Sequence, residues 1–161
     1  MTRAFELALV FVLSPDVEGG YSNDPDDPGG ETRFGISKRS YPNVDIARLT
    51  RRGAEEIYRR DFWDKCRCDE FPLSIALALF DSAVNQGQRK AVRLLQQALK
   101  VSDDGVIGDE TIGAANGAVP NEVLIQFLSR RAIEYARGNP KYQRGWFVRL
   151  FRLQSAILGL A

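Results

Sequence analysis

The sequence contains no histidine. This absence excludes nucleophilic catalysis by Ser-His-Asp or Cys-His groups in their usual forms. It also excludes the zinc hydrolases that carry an HExxH motif. Acid–base chemistry in this protein must therefore depend on Asp, Glu, Lys, Tyr or Cys side chains.

Cysteine is scarce, and the two cysteines, Cys66 and Cys68, are separated by a single residue. Residues this close do not form an ordinary disulfide, and two thiols do not complete a structural zinc site. We therefore predict reduced thiols without a chemical role, which suits a chain made in a reducing compartment. No metal and no organic cofactor is expected.

The sequence also lacks an apolar run long enough to span a membrane. Its first residues, MTRAFELALVFVLSPD, resemble a signal peptide, but Glu6 interrupts the apolar run and no small-residue cleavage site follows. The apolar residues between Phe5 and Leu13 recur at helical spacing, which predicts an amphipathic first helix. We expect neither a signal peptide nor stable membrane insertion.

The chain has 161 residues, of which 44% are hydrophobic, enough for one domain with its own core. Apolar periodicity, capping residues and Pro/Gly boundaries predict a mostly α fold. The predicted helices cover residues 3–13, 50–65, 72–86, 88–100, 109–117, 120–137 and 144–158. A short hairpin is predicted near residues 20–36, where strands fit best.

The charges are unevenly distributed although the net charge is +1. Residues 16–31 contain acidic side chains and no basic one, whereas residues 130–152 contain seven Lys or Arg and one Glu. The basic end has no nucleic-acid recognition motif, so we expect no nucleic-acid partner. We predict a solvated helix face there, and the functional alternative is attraction to an anionic surface.

The acidic stretch, EGGYSNDPDDPGGETRFGIS, covers residues 18–37. Glu18 follows the first helix, Asp27 comes nine residues later and Thr32 five residues after that. Paired carboxylates are the groups that glycoside hydrolysis requires. The spacing alone leaves a second interpretation open, because Asp, Asn, Gly and Pro also form turns that have no chemical role.

This stretch resembles the start of glycoside hydrolase family 108, the lysozyme-like N-acetylmuramidases of bacteria and phages. The motif EGGY at residues 18–21 and the loop DPDDPGGETRFGI at residues 24–36 carry the resemblance. It continues through Tyr58, Asp61-Phe62-Trp63, the segment DSAVNQG at residues 81–87, Trp146 and Arg149, and so covers most of the chain.

The resemblance implies one lysozyme-like domain over residues 1–161, with a catalytic lobe at 1–87 and a helical lobe at 88–161. Glu18 would be the general acid, while Asp27 would hold a water or face the developing positive charge and Thr32 would orient that water. Phage-type lysozymes place this Thr one residue further from the second acid. The alternatives to Asp27 are Asp24, Asp26 and Glu31. Whether the reaction retains or inverts configuration depends on the carboxylate separation.

Substrate contacts are expected from Tyr21, which adjoins Glu18, and from Asn85 and Gln86 at the end of the third helix. A helix cap is the alternative for the two amides. Trp63 and Phe62 are expected in the core.

A second segment, AVRLLQQALKVSDDGVIGDETIGAA at residues 91–115, resembles the LQxxL…DGxxGxxT pattern of peptidoglycan-binding modules. One interpretation is cell-wall binding by residues 88–137. The other is a helix-turn-helix that packs into the core, with Asp104 and Gly105 forming the turn.

Together these features predict a monomeric peptidoglycan hydrolase that cleaves the β-1,4 bond between N-acetylmuramic acid and N-acetylglucosamine. One alternative is a lytic transglycosylase that uses Glu18 alone. The other is a non-catalytic cell-wall-binding or secretion-helper protein. The chain would be made in the bacterial cytoplasm and would act in the periplasm or cell wall, after release through a holin, as a phage endolysin is, or by a secretion system.

Overall fold

The computed structural model describes residues 2–14, 20–23 and 30–160. Glu18 and Asp27, together with the alternative acids Asp24 and Asp26, lie outside the described residues. The predicted roles of these four side chains are therefore untested by the geometry.

The described residues form seven α-helices and one short antiparallel sheet. The helices are α1 (Arg3–Val12), α2 (Arg51–Tyr58), α3 (Leu73–Gln86), α4 (Gln88–Leu99), α5 (Asp109–Gly117), α6 (Pro120–Arg137) and α7 (Pro140–Leu158), and the strands are β1 (Thr32–Arg33) and β2 (Ile36–Ser37). This architecture confirms the prediction of a mostly α fold with a hairpin. None of the described helices combines the length and the apolar character that crossing a membrane would require.

The helix α3 lies at the centre of the fold and contacts α1, α4, α6 and α7. Every residue from Ile75 to Ala83 is buried, as expected of a helix that is apolar on all sides. Phe80 packs edge-on against Phe5 and Trp63, with ring centroids 5.9 Å and 5.4 Å away. Trp63 is fully buried, which confirms its predicted place in the core.

The segment predicted as one helix over residues 50–65 is divided in two. Thr50 caps α2 by accepting a hydrogen bond from the Gly53 amide at 3.1 Å, as the sequence indicated. After Tyr58 the chain continues as a π-helical turn over Arg59–Trp63. Such turns are rare and frequently occur at functional sites.

The last helix begins at Pro140, four residues before its predicted start. The Asn139 side chain accepts a hydrogen bond from the Lys141 amide at 3.0 Å, and Pro140 occupies the first turn, where its missing N–H costs nothing. Gly138 lets α6 and α7 approach, because a Cβ atom there would lie 2.5 Å from the Trp146 ring.

Both cysteine thiols are unpaired and buried in the core. Burial raises the pKa of Cys68, so this thiol stays protonated. A hydrogen bond from Cys68 lowers the pKa of Cys66.

The prediction of a solvated basic face near the C-terminus is wrong for two of its seven cations. Arg131 and Arg149 are buried, and both bind the buried carboxylate of Asp81. Arg131 Nη2 lies 2.7 Å from Asp81 Oδ2, and Arg149 Nε lies 2.8 Å from Asp81 Oδ1. Pairing of this kind offsets the large cost of removing a guanidinium from water. The cluster joins α3 to α6 and α7.

The segment that resembles peptidoglycan-binding modules contains a buried glutamine, Gln96, that fixes its turn. Gln96 Nε2 donates to Asp104 Oδ1 at 2.9 Å, to the Val106 carbonyl at 3.0 Å and to Thr111 Oγ1 at 3.3 Å. Its Oε1 accepts from the Gly105 amide at 2.9 Å. The pattern thus has a structural reason, because Gln96 ties the Asp-Gly turn to α4. Peptidoglycan binding by residues 88–137 stays a prediction.

Replacement of Gln96 tests this arrangement. We expect Gln96→Ala to lower the free energy of unfolding by about 2–4 kcal/mol, because it leaves buried polar groups without partners. The matched control is the adjacent Gln97→Ala, since Gln97 is half-buried and its side chain donates to Asp103 Oδ2 at 2.6 Å. Chemical denaturation of both proteins gives the comparison. Equal losses in the two variants would contradict the proposed role of Gln96.

Candidate active site

Thr32 lies at the centre of a small sheet. On one side β1 pairs with β2, so that Thr32 is opposite Ser37. On the other side Thr32 forms an antiparallel bridge with Ser22, with N···O distances of 2.9 Å and 2.8 Å. Because Ser22 directly follows the EGGY motif, these hydrogen bonds hold the chain after Glu18 against the backbone of Thr32.

The side chain of Thr32 is half-buried, and its hydroxyl donates to the Gly30 carbonyl at 3.0 Å. A hydroxyl whose proton is committed in this way keeps lone pairs that can accept a hydrogen bond from a water. This chemistry fits the predicted role of Thr32 in orienting a water.

Tyr21 lies at the surface beside Thr32, with 54% of its area exposed. Its hydroxyl donates to Glu31 Oε1 at 3.0 Å, and this hydrogen bond to the carboxylate raises the pKa of Tyr21. This hydrogen bond joins Tyr21 to Glu31, the residue directly before Thr32. Among the predicted second acids, Glu31 is the one whose position the structure describes, and its carboxylate is engaged by Tyr21.

Phe34 and Gly35 of the motif form the turn between β1 and β2. Phe34 and Gly35 both have positive φ, of 51° and 72°, as a two-residue type I′ hairpin requires. Positive φ is unfavourable for a phenylalanine. The buried Tyr58 hydroxyl donates to the Phe34 carbonyl at 3.0 Å, and Ile36 packs in the core. These contacts attach the hairpin to the helical body.

Asn85 and Gln86 lie at the end of α3 and are half-buried. The Tyr135 hydroxyl donates to Asn85 Oδ1 at 2.6 Å, and Arg131 Nε donates to Gln86 Oε1 at 3.2 Å. Both side-chain oxygens are therefore engaged with α6. The role of Asn85 and Gln86 in substrate binding stays a prediction. These two residues lie on α3, whereas Tyr21 and Thr32 lie at the hairpin edge.

A polar hollow of about 370 Å³ lies between the hairpin turn, the π-helical turn and the junction of α3 with α4. Its lining residues are Gly35, Ile36, Ser40, Tyr41, Tyr58, Asp61, Phe62, Lys65, Val84 and Gln88. Sequence reasoning missed this polar hollow as a site. The signal that could have indicated it was Asp61, which belongs to the DFW part of the family resemblance.

The side chains of Asp61 and Tyr41, which line the polar hollow, each keep one protonation state near neutral pH. Arg60 holds the Asp61 carboxylate with two hydrogen bonds, of 2.9 Å and 2.6 Å, and lowers its pKa to about 2 against the effect of burial. Burial and the nearby Asp61 charge raise the pKa of Tyr41 to about 12. Near neutral pH Asp61 is therefore charged and Tyr41 is neutral.

Within the described ranges, no group of three or more His, Cys, Asp or Glu side chains could hold a metal ion. The chemistry available along the hairpin edge is that of carboxylates and hydroxyls.

Comparison with known proteins adds the family context. Residues 12–87 match the family described as glycosyl hydrolase 108, and this range includes the hairpin, α2 and α3. The fold is similar to that of SagA from Brucella abortus, with a TM-score of 0.83 and 30% sequence identity over 96% of this chain and 94% of that chain. Comparison with curated protein sequences gives no significant match. The mostly α fold is lysozyme-like, as the sequence predicted.

Removal of the Tyr58 hydroxyl tests how the hairpin is held. We expect Tyr58→Phe to cost about 1–2 kcal/mol in the free energy of unfolding, because the Phe34 carbonyl loses its partner. Hydrogen exchange should accelerate at the amides of Thr32 and Lys38, which donate within the hairpin region. The control is Tyr142→Phe, which alters a ring that is 45% exposed. Unchanged exchange in Tyr58→Phe would show that other contacts hold the hairpin.

Proposed function

The chain belongs to the glycosyl hydrolase 108 family and is a glycoside hydrolase, and we propose that its substrate is peptidoglycan. The bond cleaved is the β-1,4 linkage from N-acetylmuramic acid to N-acetylglucosamine, with Glu18 as the general acid. The observation that carries the proposal is the hairpin edge, where the backbone directly after EGGY pairs with Thr32. This pairing supports the proposal because it holds Ser22, four residues after Glu18 in the sequence, against the backbone of Thr32.

The proposed reaction needs one proton donor and one activated water. Glu18 donates its proton to the glycosidic oxygen as the bond from C1 to that oxygen breaks. Water then adds to C1 and its proton passes to a carboxylate, for which Asp27 is the proposed acceptor. Thr32 accepts a hydrogen bond from this water and orients it. Glu18 must be protonated near neutral pH, which an apolar setting beside α1 would favour.

We further propose that the protein acts as a monomer. It would be made in the cytoplasm and would reach the periplasm or cell wall through a holin or a secretion system. The basic side chains that remain exposed on α6 and α7 support this destination, since they would be attracted to an anionic wall.

The decisive variant is Glu18→Gln, which removes the proton donor and keeps the size of the side chain. We expect it to fold normally and to lose activity on purified peptidoglycan by a factor of about 10²–10⁴. Mass spectrometry of the digest should show reducing-end N-acetylmuramic acid for the wild type. The control is Glu56→Gln on α2, where the carboxylate is 67% exposed and pairs with Arg52.

Other outcomes separate the alternatives. Full activity of Glu18→Gln would contradict the assignment of the general acid. Anhydro-sugar ends would identify a lytic transglycosylase, and wall binding without sugar products would identify a non-catalytic protein. Released peptides without cuts in the glycan would exclude both glycan-cleaving mechanisms.

The second acid is identified by amide substitutions at its four candidates, Asp24, Asp26, Asp27 and Glu31. We expect Asp27→Asn to cause the largest loss of turnover, about 10²-fold or more. Glu31→Gln should have a small effect, because a Gln oxygen can still accept from the Tyr21 hydroxyl. Initial rates on the same peptidoglycan preparation give the ranking. A larger loss at Asp24, Asp26 or Glu31 would transfer the role to that residue.

A further inference from the structure

We propose that the polar hollow is a saccharide subsite that holds one acetamido sugar of the glycan strand. This inference rests on the proposed function, because it takes the glycan as the ligand. It adds Tyr41 and Asp61 to the residues that bind substrate.

The location of the polar hollow favours a role in substrate binding. One wall is the hairpin turn at Gly35 and Ile36, next to the strand that carries Thr32. The opposite wall is formed by Val84 and Gln88, on either side of the α3–α4 junction. A glycan that passes along the hairpin edge would therefore reach the polar hollow. Its volume, about 370 Å³, lies within the range of ligand pockets.

The side chains of Asp61 and Tyr41 in the polar hollow have acceptor positions that a ligand could bind. A carboxylate has about four acceptor positions. In Asp61 two of them accept from Arg60 at 2.9 Å and 2.6 Å. The other positions are available to the Tyr41 hydroxyl, a sugar hydroxyl or an acetamido N–H. The Tyr41 oxygen keeps its lone pairs and can accept from a second hydroxyl.

Two further side chains extend this set. Lys65 Nζ lies 3.5 Å from Asp61 Oδ1 and is 57% exposed at the rim, so it has protons left to donate. The Gln88 amide donates to the Asp61 backbone carbonyl, which fixes its orientation at the wall. Ligand groups would thus meet one anionic acceptor, one hydroxyl and one ammonium group within a single site.

The apolar lining favours a sugar ring as the ligand. Phe62 and Val84, which are half-buried, offer apolar surface to the C–H face of a pyranose ring. Arg60 and Asp61 form a neutral pair, and Lys65 is drawn toward the same carboxylate. Since Asp61 stays charged and Tyr41 stays neutral around neutral pH, the polar hollow presents an acceptor and a hydroxyl donor before the ligand arrives. Preorganised polar groups of this kind reduce the cost of binding.

The binding test uses the Glu18→Gln protein, in which cleavage should not interfere. Its dissociation constant for peptide-free glycan strands is measured by calorimetry, with and without Tyr41→Phe or Asp61→Asn. We expect each added change to weaken binding about tenfold, the effect of losing one hydrogen bond. Each N-acetylmuramic acid of a peptide-free strand carries a lactyl carboxylate, and Tyr41→Phe changes no charge, so the ratio of its dissociation constant to that of the parent should stay the same as salt is added. The matched control is Arg52→Ala, whose side chain is 87% exposed on α2.

A kinetic test separates binding from structural damage. In the active protein, Tyr41→Phe should raise KM for long glycan oligomers by a larger factor than KM for the shortest cleaved oligomers. A loss of folding would instead reduce the cleavage of every oligomer. Equal losses at all lengths would therefore overturn the subsite.

Failure of the subsite is distinguishable from failure of the proposed function. Equal dissociation constants in all variants, or no binding of peptide-free strands, would overturn the subsite even if Glu18→Gln abolishes cleavage. Conversely, weaker binding in Tyr41→Phe would support the subsite even if the reaction proved to be a transglycosylation.

Discussion

The carboxylate of Asp81 lies on the central helix α3, and two guanidinium groups bind its two oxygens. Arg131 reaches it from α6 at 2.7 Å, and Arg149 reaches it from α7 at 2.8 Å. Removing three charged groups from water costs free energy. The contact of each Asp81 oxygen with a guanidinium in good geometry offsets this cost. Apolar packing alone tolerates small shifts between helices, whereas two short charged contacts on one carboxylate fix α6 and α7 against α3.

The end of α3 links the charged cluster around Asp81 to the candidate active site. Arg131 also donates to Gln86, and Tyr135, one turn later on α6, donates to Asn85. Two residues beyond Gln86, Gln88 donates to the backbone of Asp61 in the π-helical turn. Polar contacts, together with the chain from Gln86 to Gln88, therefore connect the buried cluster to the polar hollow. The packing of α3 against α6 and α7 therefore determines the position of the wall that Val84 and Gln88 form.

The helices were predictable because their signals are local. Periodic apolar residues, the Thr50 cap and Pro/Gly boundaries each lie within the segment they define. The burial of Arg131 and Arg149 was not predictable in this way, because their partner Asp81 is 50 and 68 residues away in sequence. The π-helical turn was missed because its hydrogen bonds run from Asp64 back to Arg59 without changing the residue pattern. The polar hollow was missed because its walls come from separate segments.

The acidic stretch divides into parts with different physical tasks. Phe34 and Gly35 provide the positive φ angles of a hairpin turn, and Tyr58 stabilises that turn from the helical body. Ser22 and Thr32 provide the backbone pairing that closes the loop. None of these contacts requires the carboxylate of Glu18. The fold of the hairpin and the proposed chemistry are therefore separable, so a chain could keep this turn and pairing after losing its catalytic acid. For this reason the motif specifies the hairpin more directly than it specifies the reaction.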